Sequence, residues 1–367
     1  MSGATATGGG PRVAIHALPD AATRAAALNF VQASPAYSYL QDPDWPEVAP
    51  RNNRRHAYRL VTMSDAATPD GCPGPLRLVG VLRLTRLAGG YATAAFRRGP
   101  VTATPGDLFP LLADLLPALR GAGVVSLTLN PRWSGEAARI AEKALAAHGA
   151  RPLPEARQTL HTRTGLVDLS GTLDDIYARF GAKMRRQLRA IPKAGLTTRP
   201  VRDAADLAWF DACVAAFRDT RGFEGAGHPD AAGHLDWVRR RGGSFNIVEH
   251  EGRVFGGFVT YRDGDRALPV SVAWAEADSK LPRTFIAFDT AIRDAVTDPH
   301  PPRWLDMSGL SRPEAQARDP AAARRDSFKM RFRPEIVDLV PAHEITLRPL
   351  LAGATRALRR MQRGSGA

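Results

Sequence analysis

One pattern limits the fold of this chain more than any other: the same succession of strand and helix signals runs through it twice. In the first half, residues 12–18 read as a strand and residues 20–33 as an amphipathic helix. Residues 58–63 and 76–87 follow as strands, and the second, LRLVGVLRLTRL, alternates apolar and polar side chains as a half-buried strand does. A further strand ends at Phe96-Arg97-Arg98-Gly99-Pro100-Val101, before a helix at 107–120, a strand at 124–130 and a helix at 135–148. From Thr159 the order returns. Helices at 204–221, 231–241 and 282–296 are interleaved with strands at 245–249, 254–261, 267–275 and 303–307. A polar loop at 312–325, a strand at 336–339 and a basic helix at 347–362 close the chain. The order predicts an α/β protein of two similar layered domains with mixed sheets flanked by helices.

The length agrees, because 367 residues exceed what one ordinary core organises and suit two. No run approaches the ~20 apolar residues of a membrane span. The start, MSGATATGGGPR, lacks the charged and apolar regions of a secretory signal and reads as a disordered tail over residues 1–11. Cys72 and Cys213 stand far apart with no CxxC, which favours small buried hydrophobes in a reducing, cytoplasmic setting. The nine histidines show no ligand spacing, so no metal is expected.

A net charge of +13 points to a polyanionic partner: nucleic acid, nucleotide phosphates or an anionic membrane surface. The basic residues are 45 arginines and 5 lysines, a bias that follows GC-rich coding as well as function. Where lysine survives against that background, a compact ammonium is called for rather than a planar fork. The five are Lys143, Lys183, Lys193, Lys280 and Lys329.

Residues 167–199 concentrate the charge. After a short strand, Ser170 or Thr172 offers a cap, and Asp174 and Asp175 suit the positive end of a helix. Leu173, Ile176, Phe180, Met184, Leu188 and Ile191 form one apolar stripe of a single expected helix, with Arg185 and Arg189 on another face beside Lys183 and Arg186. Pro192 should kink or end it. Such a basic face is as a rule merely solvated. In the first half, Tyr37, Tyr39 and Trp45 precede Arg51, Arg54, Arg55 and His56, an interleaving that suits stacking on a base or sugar, or a loop plugging its own domain.

Taken in order, these motifs resemble the FemABX family, which transfers amino acids from aminoacyl-tRNA to the peptide of peptidoglycan precursors. Tyr39-Leu40-Gln41 to Trp45 is similar to its early glutamine-to-tryptophan segment, and Arg98-Gly99-Pro100-Val101 to its RGPV strand. Gln158-Thr159 with Val167-Asp168-Leu169-Ser170 resembles its domain junction. Arg185, Arg189, Lys193 and Gly195 fall on R-x3-R-x3-K-x-G, and Asp306, Gly309, Phe328 and Lys329 on D-x-x-G…FK. The resemblance implies two GNAT-like domains, residues 12–157 and 158–339, with residues 340–367 packing back on the first. No heptads indicate the coiled-coil arm of some members.

The resemblance further implies aminoacyl transfer to an amine of a lipid-linked or nucleotide-linked precursor or a related acceptor, without a cofactor. Lys329 is then the expected oxyanion stabiliser, beside Phe328, with Asp306 orienting it, taking a proton from the amine, or simply capping a loop. Lys183, Arg185, Arg189 and Lys193 would bind tRNA or precursor phosphates. Trp45, Arg51, Arg54, Arg55, Arg221 and His228 complete the expected substrate contacts. Ala49 replaces the family's diphosphate-contacting lysine. Two other readings stay open. An acyl-CoA-dependent GNAT enzyme needs [QR]-x-x-G-x-[GA] between strand and helix, and the only match, 132–137, falls one strand–helix unit too late. A non-catalytic tRNA-binding protein would explain the charge but not the FK pair. The basic ALRRMQR segment could touch an anionic membrane or stay solvated.

Overall fold

The structure, a computed structural model, describes residues 11–50, 56–66, 74–221, 229–275 and 281–354, with backbone alone for 217–221. The chain divides into two compact units: Met1–Pro46, Asn53–Thr162 and Asp338–Ala367 form one, and Glu47–Asn52 with Arg163–Val337 form the other.

The first unit holds β1 (Arg12–His16), α1 (Ala21–Ala33), α2 (Trp45–Val48, whose end passes to the second unit), β2 (His56–Ser64), β3 (Leu76–Arg86), β4 (Ala92–Phe96), β5 (Val101–Thr102), α3 (Leu108–Gly121), β6 (Val124–Leu129), α4 (Gly135–Ala147) and β7 (Arg151–Pro152). Its strand order is β1-β2-β3-β4-β6, then a strand from the C-terminal segment, His343–Thr346, then β7; β5 pairs with β3. The leucine stripe of α3 packs with α4 on Leu82, Phe96, Leu127 and Leu129 of one sheet face. Ala27 and Val31 of α1 cover Leu60, Val79 and Val81 on the other.

Two of the sequence motifs meet inside this unit. The Gln41 amide, fully buried, accepts from the Val81 N–H at 2.9 Å and donates to the Arg97 carbonyl at 2.8 Å, supplying a rung where β3 and β4 part. Gly99 lies directly on it, so a Cβ there would sit 2.3 Å from the Gln41 carboxamide. Gln158 holds the returning C-terminal segment by accepting from the Ala342 N–H at 2.8 Å and donating to the Leu153 carbonyl at 2.8 Å. That segment differs from the expected helix: a strand precedes it, and helix begins only at residue 349.

The second unit runs β8 (Arg163–Asp168), α5 (Leu173–Arg179), α6 (Ala182–Lys193), β9 (Leu196–Pro200), α7 (Ala204–Arg221), α8 (Ala231–Arg241), β10 (Gly243–His250), β11 (Arg253–Asp263), β12 (Arg266–Trp274), α9 (Arg283–Thr297), β13 (Trp304–Gly309), α10 (Pro313–Arg318), α11 (Pro320–Met330) and β14 (Glu335–Asp338). The C-terminal strand of the first unit is therefore β15. The sheet order is β14-β8-β13-β12-β11-β10-β9. On one face α5, α6, α9 and the end of α11 bury Ile176, Phe180, Met184, Leu188, Ile292 and Phe332. On the other, α7 and α8 bring Phe210 onto Phe245, centroids 4.8 Å apart, and His234 Nδ1 within 2.6 Å of the Tyr261 hydroxyl.

Two local expectations are corrected here. The single helix expected in 167–199 is two, α5 and α6, because Phe180 turns extended and drives its ring against Phe332, 5.3 Å away. Arg185 seals the break by donating to the Ala178 and Phe180 carbonyls at 3.2 and 2.7 Å. Pro192 sits in the last turn, and α6 ends one residue later. The polar loop expected at 312–325 is largely helical: Asp319 accepts from the Ala321 N–H at 2.8 Å and Pro320 occupies the first turn, a start signal for α11.

Candidate functional site

The second unit departs from a regular sheet at its parallel pair. β12 and β13 match at only two positions, Arg266 with Trp304 and Ala267 with Leu305, and then separate. In the first unit the corresponding parallel pair, β4 with β6, stays joined over five positions from Ala92 to Phe96. β13 is irregular between Asp306 and Gly309 in its pairing with β8, and Ser308 takes a positive φ of 58°. Backbone turned away from its ladder neighbours is where polypeptide can still bind.

Asp306 fixes this bulge. Its carboxylate, 2 % exposed, accepts from the Ser308 N–H at 2.8 Å, from Arg266 Nη1 at 3.1 Å and from the Thr164 hydroxyl. Lys329, on the last turn of α11, reaches the same bulge: its Nζ donates to the Gly309 carbonyl at 2.5 Å. Burial pushes the ammonium below the ordinary lysine range, and the carboxylates of Asp326 and Asp306 oppose the shift. Asp326 is itself fixed, accepting from the Ser311 N–H at 2.8 Å and from Gln316 Nε2 at 2.9 Å. Phe328 packs on Phe285 and Phe288, with centroids 5.2 and 5.6 Å away, which locks the helix end that carries Lys329. Asp306 therefore shapes the bulge, and the hydrogen bond of Lys329 goes to Gly309.

A second feature lies on the α5–α6–α9 face. A cleft of about 760 Å³ is lined by Tyr177, Arg185, Leu188, Arg189, Pro192 and Arg293, among others. Tyr177 donates its hydroxyl to Asp289, which also takes the Arg293 Nε at 2.8 Å. Burial and then that carboxylate raise the Tyr177 pKa, so the phenol stays protonated. The expected Arg185 and Arg189 thus meet Arg293, with Arg185 committed by one nitrogen to its carbonyl caps. Lys183 and Lys193 are exposed and do not line this cleft. Tyr177 and Arg293 were not among the expected site residues, although the Asp289–Arg293 spacing of four on a helix is visible in sequence.

A third feature, a cleft of about 740 Å³ on the α7–α8 face, is lined by Glu47, Ala49, Asp211, Asp230, His234 and Ser271, among others. Neither lysine nor arginine is among its described lining. Trp45 is not in that lining; it is buried against Tyr39, centroids 4.7 Å apart, and anchors the segment leading to Ala49. Arg51, Arg54, Arg55 and His228 lie outside the described residues, as does the side chain of Arg221. Among the described residues no group of histidine, cysteine and carboxylate side chains could hold a metal, and no helix is long and apolar enough to cross a membrane.

The sequence profile of an acetyltransferase (GNAT) domain matches residues 178–312, which supports acyl transfer as the reaction class. None of the curated proteins matches the sequence. The crystal structure of FemX is similar over 90 % of this chain and 98 % of that one, with a TM-score of 0.72 at 14 % identity. A tandem GNAT protein from the clavulanic acid biosynthesis pathway is similar over 92 % and 98 %, with a TM-score of 0.52 at 13 % identity. L-PGS from Bacillus licheniformis is similar over 94 % and 98 %, with a TM-score of 0.50 at 12 % identity. The bulge that receives Lys329 lies inside the profile match at Gly309, in a chain that carries the FemABX-like fold of two GNAT-like domains.

Proposed function

We propose that this protein transfers an aminoacyl group from aminoacyl-tRNA to an amine of a peptidoglycan precursor peptide or a related acceptor. The observation that carries the reading is the half-buried Lys329 ammonium, held on the β13 bulge at the one parallel pair that opens. The neutral amine attacks the ester carbonyl, and negative charge develops on the carbonyl oxygen. A fixed, largely desolvated cation stabilises that charge far better than water does. Collapse breaks the ester bond, the amide forms, and the amine proton leaves with the ribose oxygen. The ester is already activated, so no cofactor has to supply energy.

The arginine cleft supports an RNA donor, because Arg185, Arg189 and Arg293 offer guanidinium groups for phosphate oxygens. On the acceptor side, Arg51, Arg54 and Arg55, which follow Ala49 in sequence, are the candidate substitutes for a diphosphate-contacting lysine, and both lipid-linked and nucleotide-linked acceptors belong in the test. An acyl-CoA donor is less well supported. In the 132–137 loop the Trp133 carbonyl accepts from Val340 N–H and Ser134 bridges to Leu339, so the C-terminal segment occupies it. In the second unit the sequence between β12 and α9, AEADSKLP, has no glycine and two carboxylates.

The test is a filter-binding assay with labelled aminoacyl-tRNA and a panel of amine acceptors, with products read by mass spectrometry. Acceptor-dependent transfer is expected. No transfer from any charged tRNA, together with robust transfer from acetyl-CoA, would overturn the proposal.

A further inference from the structure

The first unit carries an arginine pair that neither its core nor the proposed chemistry uses. Arg83 lies in the middle of β3, opposite Tyr58 of β2 and Ala95 of β4. Arg97 follows β4 two residues after Ala95, so side-chain alternation puts it on the same face as Arg83. His56, opposite Thr85 and two residues before Tyr58, shares that face. The face is the one α1 covers further along, where Leu60, Val79 and Val81 are buried. Past the end of that apolar layer the sheet presents two guanidiniums, an imidazole and a phenol.

Their electrostatics are one-sided. Burial and then the Arg97 charge lower the Arg83 pKa, and Tyr58 acts weakly the other way. Burial followed by the charges of Arg83 and Arg97 lowers the His56 pKa. No carboxylate figures among the described influences on Arg83. The Nε atoms of both arginines are buried and have no acceptor among the described residues. Arg83 and Arg97 are half-buried, and a buried polar atom such as Nε is ordinarily hydrogen-bonded because leaving it unsatisfied costs its desolvation. Arg163, Arg266 and Arg348 also carry a buried Nε without a hydrogen-bond acceptor among the described residues; Arg83 and Arg97 differ in lying together on one sheet face.

We infer that Arg83, Arg97 and His56, with Tyr58 beside them, form a binding site for a phosphate group on the sheet face of the first unit. Two guanidinium groups on one sheet face match the several acceptor oxygens of a phosphate, with the imidazole beside them. The phosphate can belong to a nucleic-acid backbone or to a small phosphorylated compound. The site stands apart from the acyl-transfer proposal, and either can fail without the other.

The test follows the Arg83 and Arg97 Nε–H resonances of the full-length protein during titration with inorganic pyrophosphate, alongside melting curves. Saturable shifts of both resonances and a pyrophosphate-dependent rise in Tm are expected. Uncharged tRNA that displaces pyrophosphate from these resonances identifies a nucleic-acid source; pyrophosphate binding without displacement identifies a small phosphorylated ligand. Arg83→Met and Arg97→Met should each weaken pyrophosphate about 10- to 100-fold, the worth of a charged hydrogen bond. Both should also raise the Tm of the ligand-free protein, because each removes a like charge from the pair. A purely structural arginine would lower it. Unmoved Nε–H resonances with both pyrophosphate and tRNA, or methionine variants that melt lower and still bind, would overturn the inference.

Discussion

Replacing Lys329 with methionine keeps the volume and apolar stem of the side chain and removes the ammonium that donates to the Gly309 carbonyl. If that ammonium stabilises the oxyanion, acceptor-dependent turnover falls on the order of 10²–10³-fold. Stability responds to two opposed changes. A charged hydrogen bond worth about 1.5–3 kcal/mol is lost, while a lysine that burial holds below its ordinary pKa no longer has to be desolvated. The net change at neutral pH should stay within about 1 kcal/mol. The pH dependence has a definite sign. With its folded pKa depressed, Lys329 releases its proton from the folded state first, so the unfolded chain binds more protons as pH rises. Wild type therefore gains stability relative to Lys329→Met from the depressed folded value up to about 10.4, the ordinary lysine pKa. Single-turnover deacylation of labelled aminoacyl-tRNA, filter binding of uncharged tRNA and urea melts at several pH values measure all three. A rate loss under about threefold, or a loss of tRNA affinity that accounts for the whole rate effect, would refute the oxyanion role.

Asp206→Asn should cost about 1.5–3 kcal/mol in urea melts, since the Arg199 fork at 2.6 and 2.8 Å would lose one of its two carboxylates while Glu249 stays at 2.6 Å. Arg199 and the Arg202 N–H hold the Asp206 pKa below the ordinary carboxylate value, so its contribution is complete above about pH 4 and fades as pH falls through the folded value. Gly99→Ala should destabilise the first unit by about 1–3 kcal/mol, through the contact with Gln41, leaving tRNA affinity intact in the folded fraction. Arg189→Ala and Arg293→Ala should each weaken tRNA binding and reduce the slope of log affinity against log salt by about 0.7–0.9, the signature of one lost phosphate contact.

How much of this was legible in sequence depended on whether the deciding interaction was local. Hydrophobic period placed α1, α3, α4 and the β10–β12 meander within a few residues, because each is amphipathic by itself. The break at Phe180 was invisible, since it continues a perfect apolar stripe and only the distant Phe332 ring draws it out of the helix. α10 and α11 were missed because neither carries an apolar stripe, α10 burying no residue and α11 only Ala322 and Asp326, although Asp319-Pro320 marks a helix start. The FK pair singles out Lys329 in sequence, but its hydrogen bond goes to the Gly309 carbonyl, a backbone group that no side-chain pattern reports. Tyr177 and Arg293 belong to helices far apart in sequence and meet through Asp289, so only the fold reveals them.

On the proposed chemistry, the unequal pairing of the two parallel strand pairs implies a stoichiometry. Two similar halves would by symmetry offer two equivalent grooves, but β4 and β6 close over five positions where β12 and β13 close over two. On the proposed chemistry one acyl group is processed per chain in each cycle. A single-turnover count should therefore plateau at one equivalent of product per polypeptide, and the closed pair is left free to serve as scaffold.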